Sequence, residues 1–134
     1  MTTRARGSGA RVVVVGVASL SWLWIGAGCA AGNLSMEARL ARLDDRLDAS
    51  IPEMTDCFRR ELGAEANRLD GRVVVRFEVA GDGLVSGLEV VESELGSAEA
   101  ELCVSDTIRR IYFLEWVGRQ PVRLTKPLQF VAGR

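Results

Sequence analysis

Residues Gly71–Val85 read GRVVVRFEVAGDGLV, and the hydrophobic period within them is two. Val73, Val75, Phe77 and Val79 alternate with Val74, Arg76 and Glu78, which predicts a strand with one buried and one wet face. Asp82-Gly83 supplies the positive-φ chemistry of a tight hairpin turn. A second strand, Leu84 to Ser93, follows, but Val85 falls out of parity with Leu88 and Val90. A bulge at Ser86-Gly87 restores the alternation.

On either side of the hairpin the period lengthens to that of a helix. Upstream, Asn33 to Ala49 carries Met36, Leu40, Leu43 and Leu47 at spacings of four, three and four, one helical stripe. Two heptads are too few for a coiled coil, so this helix either packs against the domain or serves as a stalk. Ser50-Ile51-Pro52-Glu53 has the form of a capping box with Pro in the first turn, which starts a second helix. Its inward side is Ile51, Met54, Cys57, Phe58 and Leu62, and Gly63 is placed to end it. Downstream, Ser97 caps a third helix from Ala98 to about Ile111, with Ala100, Cys103, Val104, Thr107, Ile108 and Ile111 facing inward. A last strand follows, with Val122, Leu124, Leu128 and Phe130 on one face. Pro127 interrupts its ladder and pushes it toward an edge.

The fold class is therefore α+β, in the order α-α-β-β-α-β. A helix after strand two must carry the chain back before strand three begins. Strand three thus runs antiparallel to strand one and lies beside it, giving a three-stranded antiparallel sheet of order 2-1-3. The helices cover one face of that sheet.

The first 28 residues have a different character. Arg4, Arg6 and Arg11 precede the uncharged run VVVVGVASLSWLWIGAG, the layout of an export signal. Cys29 closes a GAGC string that resembles a bacterial lipobox, in which the cysteine takes a diacylglycerol thioether and the leader is removed ahead of it. Two alternatives stand beside this: an uncleaved membrane helix over Val12 to Ala31, and an ordinary signal cleavage after Ala31. Acyl chains on Cys29, each buried CH₂ contributing about 0.8 kcal/mol, would hold the chain to a membrane. Ala30 follows in place of the Asp that usually retains lipoproteins at the inner membrane, so the expected address is the periplasmic face of the outer membrane. The expected organisation is a signal peptide over 1–28, a lipidated N-terminus and helical stalk over 29–49, and a folded domain over 50–134.

Without residues 1–28 the chain holds 14 basic and 18 acidic side chains, net −4, which argues against nucleic acid as a partner. The sequence contains no histidine, which removes Ser–His and Cys–His catalytic pairs and the commonest zinc ligand. Glu78, Asp82 and Glu89 near the hairpin read as solvated charge. No enzyme, cofactor, metal site or small-molecule substrate is expected. Cys57 and Cys103 fall on the inward sides of two helices that share a sheet face, and in an oxidising compartment they read as a disulfide. Two separately buried thiols are the alternative.

The strings DCFRRELG, LDGRVVVRFEVAGDGLVSGLEVVES, AELCVSDTIRRIYF and VRLTKPLQF together resemble the TonB C-terminal-like domain of the AgmX/PglI type, found in envelope and gliding-associated proteins of myxobacteria. The resemblance rests on Cys57 with Phe58, on the GRVVVRFEVAGDGLVS hairpin, on Cys103 in the third helix and on KPLQF in the closing strand. It covers about residues 54–131. Two features depart from it: Leu114 follows Phe113 where that family commonly has Pro, and three prolines in all supply no long Pro-rich spacer of the TonB kind. The resemblance implies an envelope interaction module whose partner is an envelope protein, engaged as an extended peptide at a sheet edge. The candidate edge is strand three, with Val122, Leu124, Lys126, Leu128 and Phe130, or strand two, Leu84 to Ser93. Edges that are merely protected, Pro127 being one such device, are the bland reading. A lipoprotein subunit that oligomerises through its first helix within an envelope or motility complex is the alternative function.

Overall fold

The computed structural model describes residues 34–132. The signal segment, the candidate lipidation site Cys29 and the alternative membrane helix lie outside the described residues. Among those described, the elements are α1 (Met36–Ala49), α2 (Ile51–Leu62), a 3₁₀ turn Gly63–Arg68, β1 (Gly71–Val79), β2 (Val85–Ser93), α3 (Ala98–Arg109), a 3₁₀ turn Leu114–Trp116 and β3 (Val122–Phe130). The sheet order is β2-β1-β3 with both pairings antiparallel. This is the α+β arrangement that the periodicities predict.

The alternation in β1 is what layers the molecule. Val73, Val75, Phe77 and Val79 are fully buried, whereas Arg72 and Arg76 stand in solvent. All three helices contribute to the core on the buried side: Leu43 and Leu47 from α1, Met54 and Phe58 from α2, Val104 and Ile108 from α3. Phe58 meets Phe130 edge to face, with ring centroids 5.1 Å apart, so α2 is keyed to the end of β3. The opposite face of the sheet carries exposed ion pairs across the strands, Arg76 to Glu89 at 3.0 Å and Arg72 to Glu92 at 3.4 Å. Such pairs contribute little stability individually.

The hairpin turn is built on Gly81-Asp82, with Gly83 donating to the Ala80 carbonyl and Asp82 Oδ1 accepting from the Leu84 amide. Gly83 has φ +81°, as an αL position demands. The anticipated bulge is present: Glu78 pairs with Ser86 and Arg76 with Glu89, and Gly87 takes φ +59°. A second irregularity, at Val91, lies between the pairs Val74–Glu92 and Val75–Val90 and was not foreseen.

Three expectations are corrected. The capping box at Ser50 does not form, because α1 runs into α2 and Ser50 sits in αR geometry as the C-cap of one and the N-cap of the other. Its hydroxyl donates to the Leu47 carbonyl instead, and Glu53 pairs with Arg110. The first helix packs against the domain and is not a free stalk. Leu43 and Leu47 are in the core, so the compact body begins before α1 and not at residue 50. Finally, α3 ends at Arg109, two residues short of Ile111, because the amides of Arg110 and Ile111 turn back to the carbonyls of Thr107 and Ile108.

Candidate functional site

A sheet of three strands has two edges, and in this fold they differ. β2 is broken by irregularities at Gly87 and Val91, which twist and interrupt an edge. β3 keeps unbroken register with β1 over nine successive pairs, from Gly71–Phe130 to Val79–Val122. Among the described residues nothing pairs with its outer side.

Which residues of β3 offer main-chain groups outward follows from β1. Arg72 donates its amide to Glu94 Oε2 at 2.8 Å and its carbonyl accepts from the Glu94 amide at 2.9 Å. Both main-chain groups of Arg72 thus point toward β2. In an antiparallel ladder parity alternates, so Val73, Val75, Phe77 and Val79 bond to β3 through Leu128, Lys126, Leu124 and Val122. The outward groups belong to the other set: Arg123, Thr125, Pro127 and Gln129. Pro127 fits this assignment, since its missing N–H falls where no ladder bond is made.

This revises the residues singled out for the edge. Val122, Leu124, Lys126, Leu128 and Phe130 lie on the helix-facing side of the strand and bond to β1. Leu128 and Phe130 are core, and Val122 and Leu124 are half-buried against it. They hold the edge in position, and Arg123, Thr125 and Gln129 present it. Sequence reasoning missed these three because apolarity marked their neighbours. The placement of Pro127 was the signal that could have found them.

Lys126 joins the edge strand to α1. Its Nζ reaches Asp44 Oδ1 at 2.7 Å and Asp48 Oδ1 at 3.1 Å, with a side chain largely withdrawn from solvent. Desolvation pulls its pKa down, but the hydrogen bonds and charges of the two aspartates outweigh it, and the net shift is upward. The ammonium is therefore held in its charged form as a buttress under the middle of β3.

At the C-terminal end of β3 an open groove of about 410 Å³ runs between α2 and the strand, lined by Ile51, Pro52, Thr55, Arg59, Gln129 and Phe130 among others. A strand added along β3 would turn alternate side chains toward this groove. Its floor is apolar and Arg59, paired with Asp56 at 2.8 Å, stands at its rim.

Cys57 and Cys103 form a disulfide between α2 and α3, with Cα atoms 5.7 Å apart. It closes the helix layer over the sheet. Among the described residues no group of His, Cys, Asp or Glu is arranged to hold a metal ion, and no helix is long and apolar enough to cross a membrane.

No protein-family model and no curated protein matches the chain. Among solved structures, the chain is similar to the solution structure of the C-terminal domain of Helicobacter pylori TonB, at 17% sequence identity over 76% of this chain and 97% of that one, with a TM-score of 0.43.

Proposed function

We propose that this chain is a non-enzymatic, membrane-tethered interaction module of the bacterial envelope, which takes an extended peptide of a protein partner along the outer edge of β3. The carrying observation is the asymmetry of the two edges. β3 is straight and in continuous register, with the main-chain groups of Arg123, Thr125 and Gln129 turned outward, whereas β2 is interrupted twice. Main-chain pairing along β3 supplies affinity, and the groove beside Phe130 supplies selection of one alternate side chain. The Cys57–Cys103 bond fits an oxidising compartment such as the periplasm. The arginine-led apolar leader and the lipobox-like string at Cys29 support a lipid tether, with the outer membrane as its address.

Residues of the TonB C-terminal-like type support the same reading through the hairpin and the cysteine positions quoted above. The alternative, oligomerisation through the first helix, has less to act with. Leu43 and Leu47 are committed to the core, so assembly of copies would need another surface.

The test is selection from a random peptide library against the exported protein. Peptides of extended character whose binding is lost in Thr125→Pro support the edge. Binding that Thr125→Pro leaves unchanged rejects it.

A further inference from the structure

We propose that the end of the domain formed by the turn Leu114–Trp116 and the tip of the β1–β2 hairpin rests on the surface of the membrane that tethers the chain, with Tyr112, Leu114, Val117 and Leu84 set into the headgroup boundary of the bilayer. The inference rests on the membrane-tether reading given above and adds to it which face of the domain meets the lipid.

Three observations carry it. The first is composition. Of the large apolar side chains exposed among the described residues, Leu84, Tyr112, Leu114 and Val117 belong to this end. They are brought together by main-chain bonds: the Phe113 amide donates to the Gly83 carbonyl at 2.8 Å, and the Gly118 amide donates to the Gly81 carbonyl at 2.8 Å. The Tyr112 ring lies against Gly83, the chain neighbour of Leu84. Exposed apolar clusters of this kind mark interaction surfaces, and a Tyr among aliphatic side chains suits a boundary that is apolar on one side and wet on the other.

The second is where the chain enters. The Arg39 guanidinium donates to the carbonyl of Leu34, the first described residue, at 3.3 Å, and to the carbonyl of Glu115 at 2.8 Å. One side chain therefore ties the entry point of the tether to Glu115, the neighbour of Leu114. Cys29 lies five residues before Leu34. Those residues span at most about 18 Å even fully extended, whether the anchor is acyl chains at Cys29 or an apolar helix ending near it. A bilayer that holds Cys29 is therefore within reach of Leu34, which shares the Arg39 guanidinium with Glu115. Contacts too weak to bind from solution become effective under such a tether, because the local concentration is set by its length.

The third is charge. Arg42 and Arg46 are exposed along α1 beside Glu115, with Asp45 next to them, and Arg46 already holds the Glu115 carboxylate at 3.3 Å. Arg46 is taken up by Glu115 and by the Tyr112 carbonyl, which leaves the Arg42 guanidinium as the group at this rim suited to a lipid phosphate.

The test uses the full chain in its native envelope, with p-benzoylphenylalanine replacing Leu114 in one protein and Leu102 in another. These two residues are comparably exposed, 65% and 59%, but Leu102 lies on α3, outside the turn and the hairpin tip. On irradiation, severalfold more phospholipid adduct at 114 than at 102 supports the proposal. Equal adduct at both sites overturns it. Predominant crosslinking of 114 to a protein also overturns it and makes this end a protein-binding surface. Fractionation of the same samples separates the two readings: chain found outside the membranes removes the tether and this proposal together, whereas membrane-bound chain without lipid adduct at 114 removes this proposal alone.

Discussion

Arg72 donates its amide to the Glu94 carboxylate and accepts the Glu94 amide at its carbonyl, and this pairing fixes the direction of every main-chain polar group along β3. Because Arg72 faces β2, its partner Gln129 faces outward, and with it Thr125 and Arg123. Neighbouring residues of one strand should therefore respond oppositely to the same substitution. Thr125→Pro removes an outward N–H and leaves the ladder intact, so the domain should stay folded. Leu124→Pro removes a bond to Phe77 and leaves a buried carbonyl unmet, at a cost of about 1–3 kcal/mol before any strain is added. Denaturant unfolding of the two variants checks the parity.

The disulfide should account for a large part of the stability. Cys57 and Cys103 are 46 residues apart, and a loop of that size stabilises the folded state by roughly 4 kcal/mol in the chain-entropy model. The Cys57→Ser, Cys103→Ser double variant should unfold at clearly lower denaturant than the oxidised protein. Identical midpoints would mean that the helix layer holds without the bond.

Lys126 makes a small part of the stability depend on alkaline pH. Its proton is held more tightly in the folded protein than in the unfolded chain, because Asp44 and Asp48 favour the ammonium. That contribution is fully present below the ordinary lysine pKa of about 10.4 and is lost as pH rises through the folded value. Both aspartates are more than half exposed, so the effect is of the order of 1 kcal/mol. Unfolding measured from pH 8 to 12 should show the wild type losing its advantage over Lys126→Met above pH 10.4. A difference independent of pH would contradict the charge-based account.

Thr107 sits on the inward face of α3 with its hydroxyl buried and no hydrogen-bond partner among the described residues. Replacing it with Val keeps the shape and removes a polar atom that burial penalises. Thr107→Val should be neutral or stabilising by up to about 1 kcal/mol. Marked destabilisation would show that the hydroxyl has a partner such as a buried water.

The parts of this fold that were legible in the sequence are those set by local chemistry. The alternation of Val73 to Val79 and the break of parity at Gly87 are visible without knowing what the strand pairs with. The bulge at Val91 was not, because Leu88 and Val90 already keep the inward parity and Val91, as apolar as Val90, does not mark itself as the extra residue. Ser50 had the residue types of a cap, but a cap requires an incoming chain that is not helical, and α1 reaches it without a break. The edge was located by Pro127, yet its outward residues depend on pairing with β1. The Lys126–Asp44 contact spans 82 positions, and no local pattern announces it.

Amide hydrogen exchange along β3, with and without a library-selected peptide, tests the edge most directly. In the free protein the amides of Arg123, Thr125 and Gln129 should exchange fast while those of Leu124, Lys126 and Leu128 are protected by the ladder. On peptide binding the first three should become protected, with no change along β2. Protection appearing along Val85–Ser93 instead, or fast exchange at Leu124 and Leu128 in the free protein, would contradict the account.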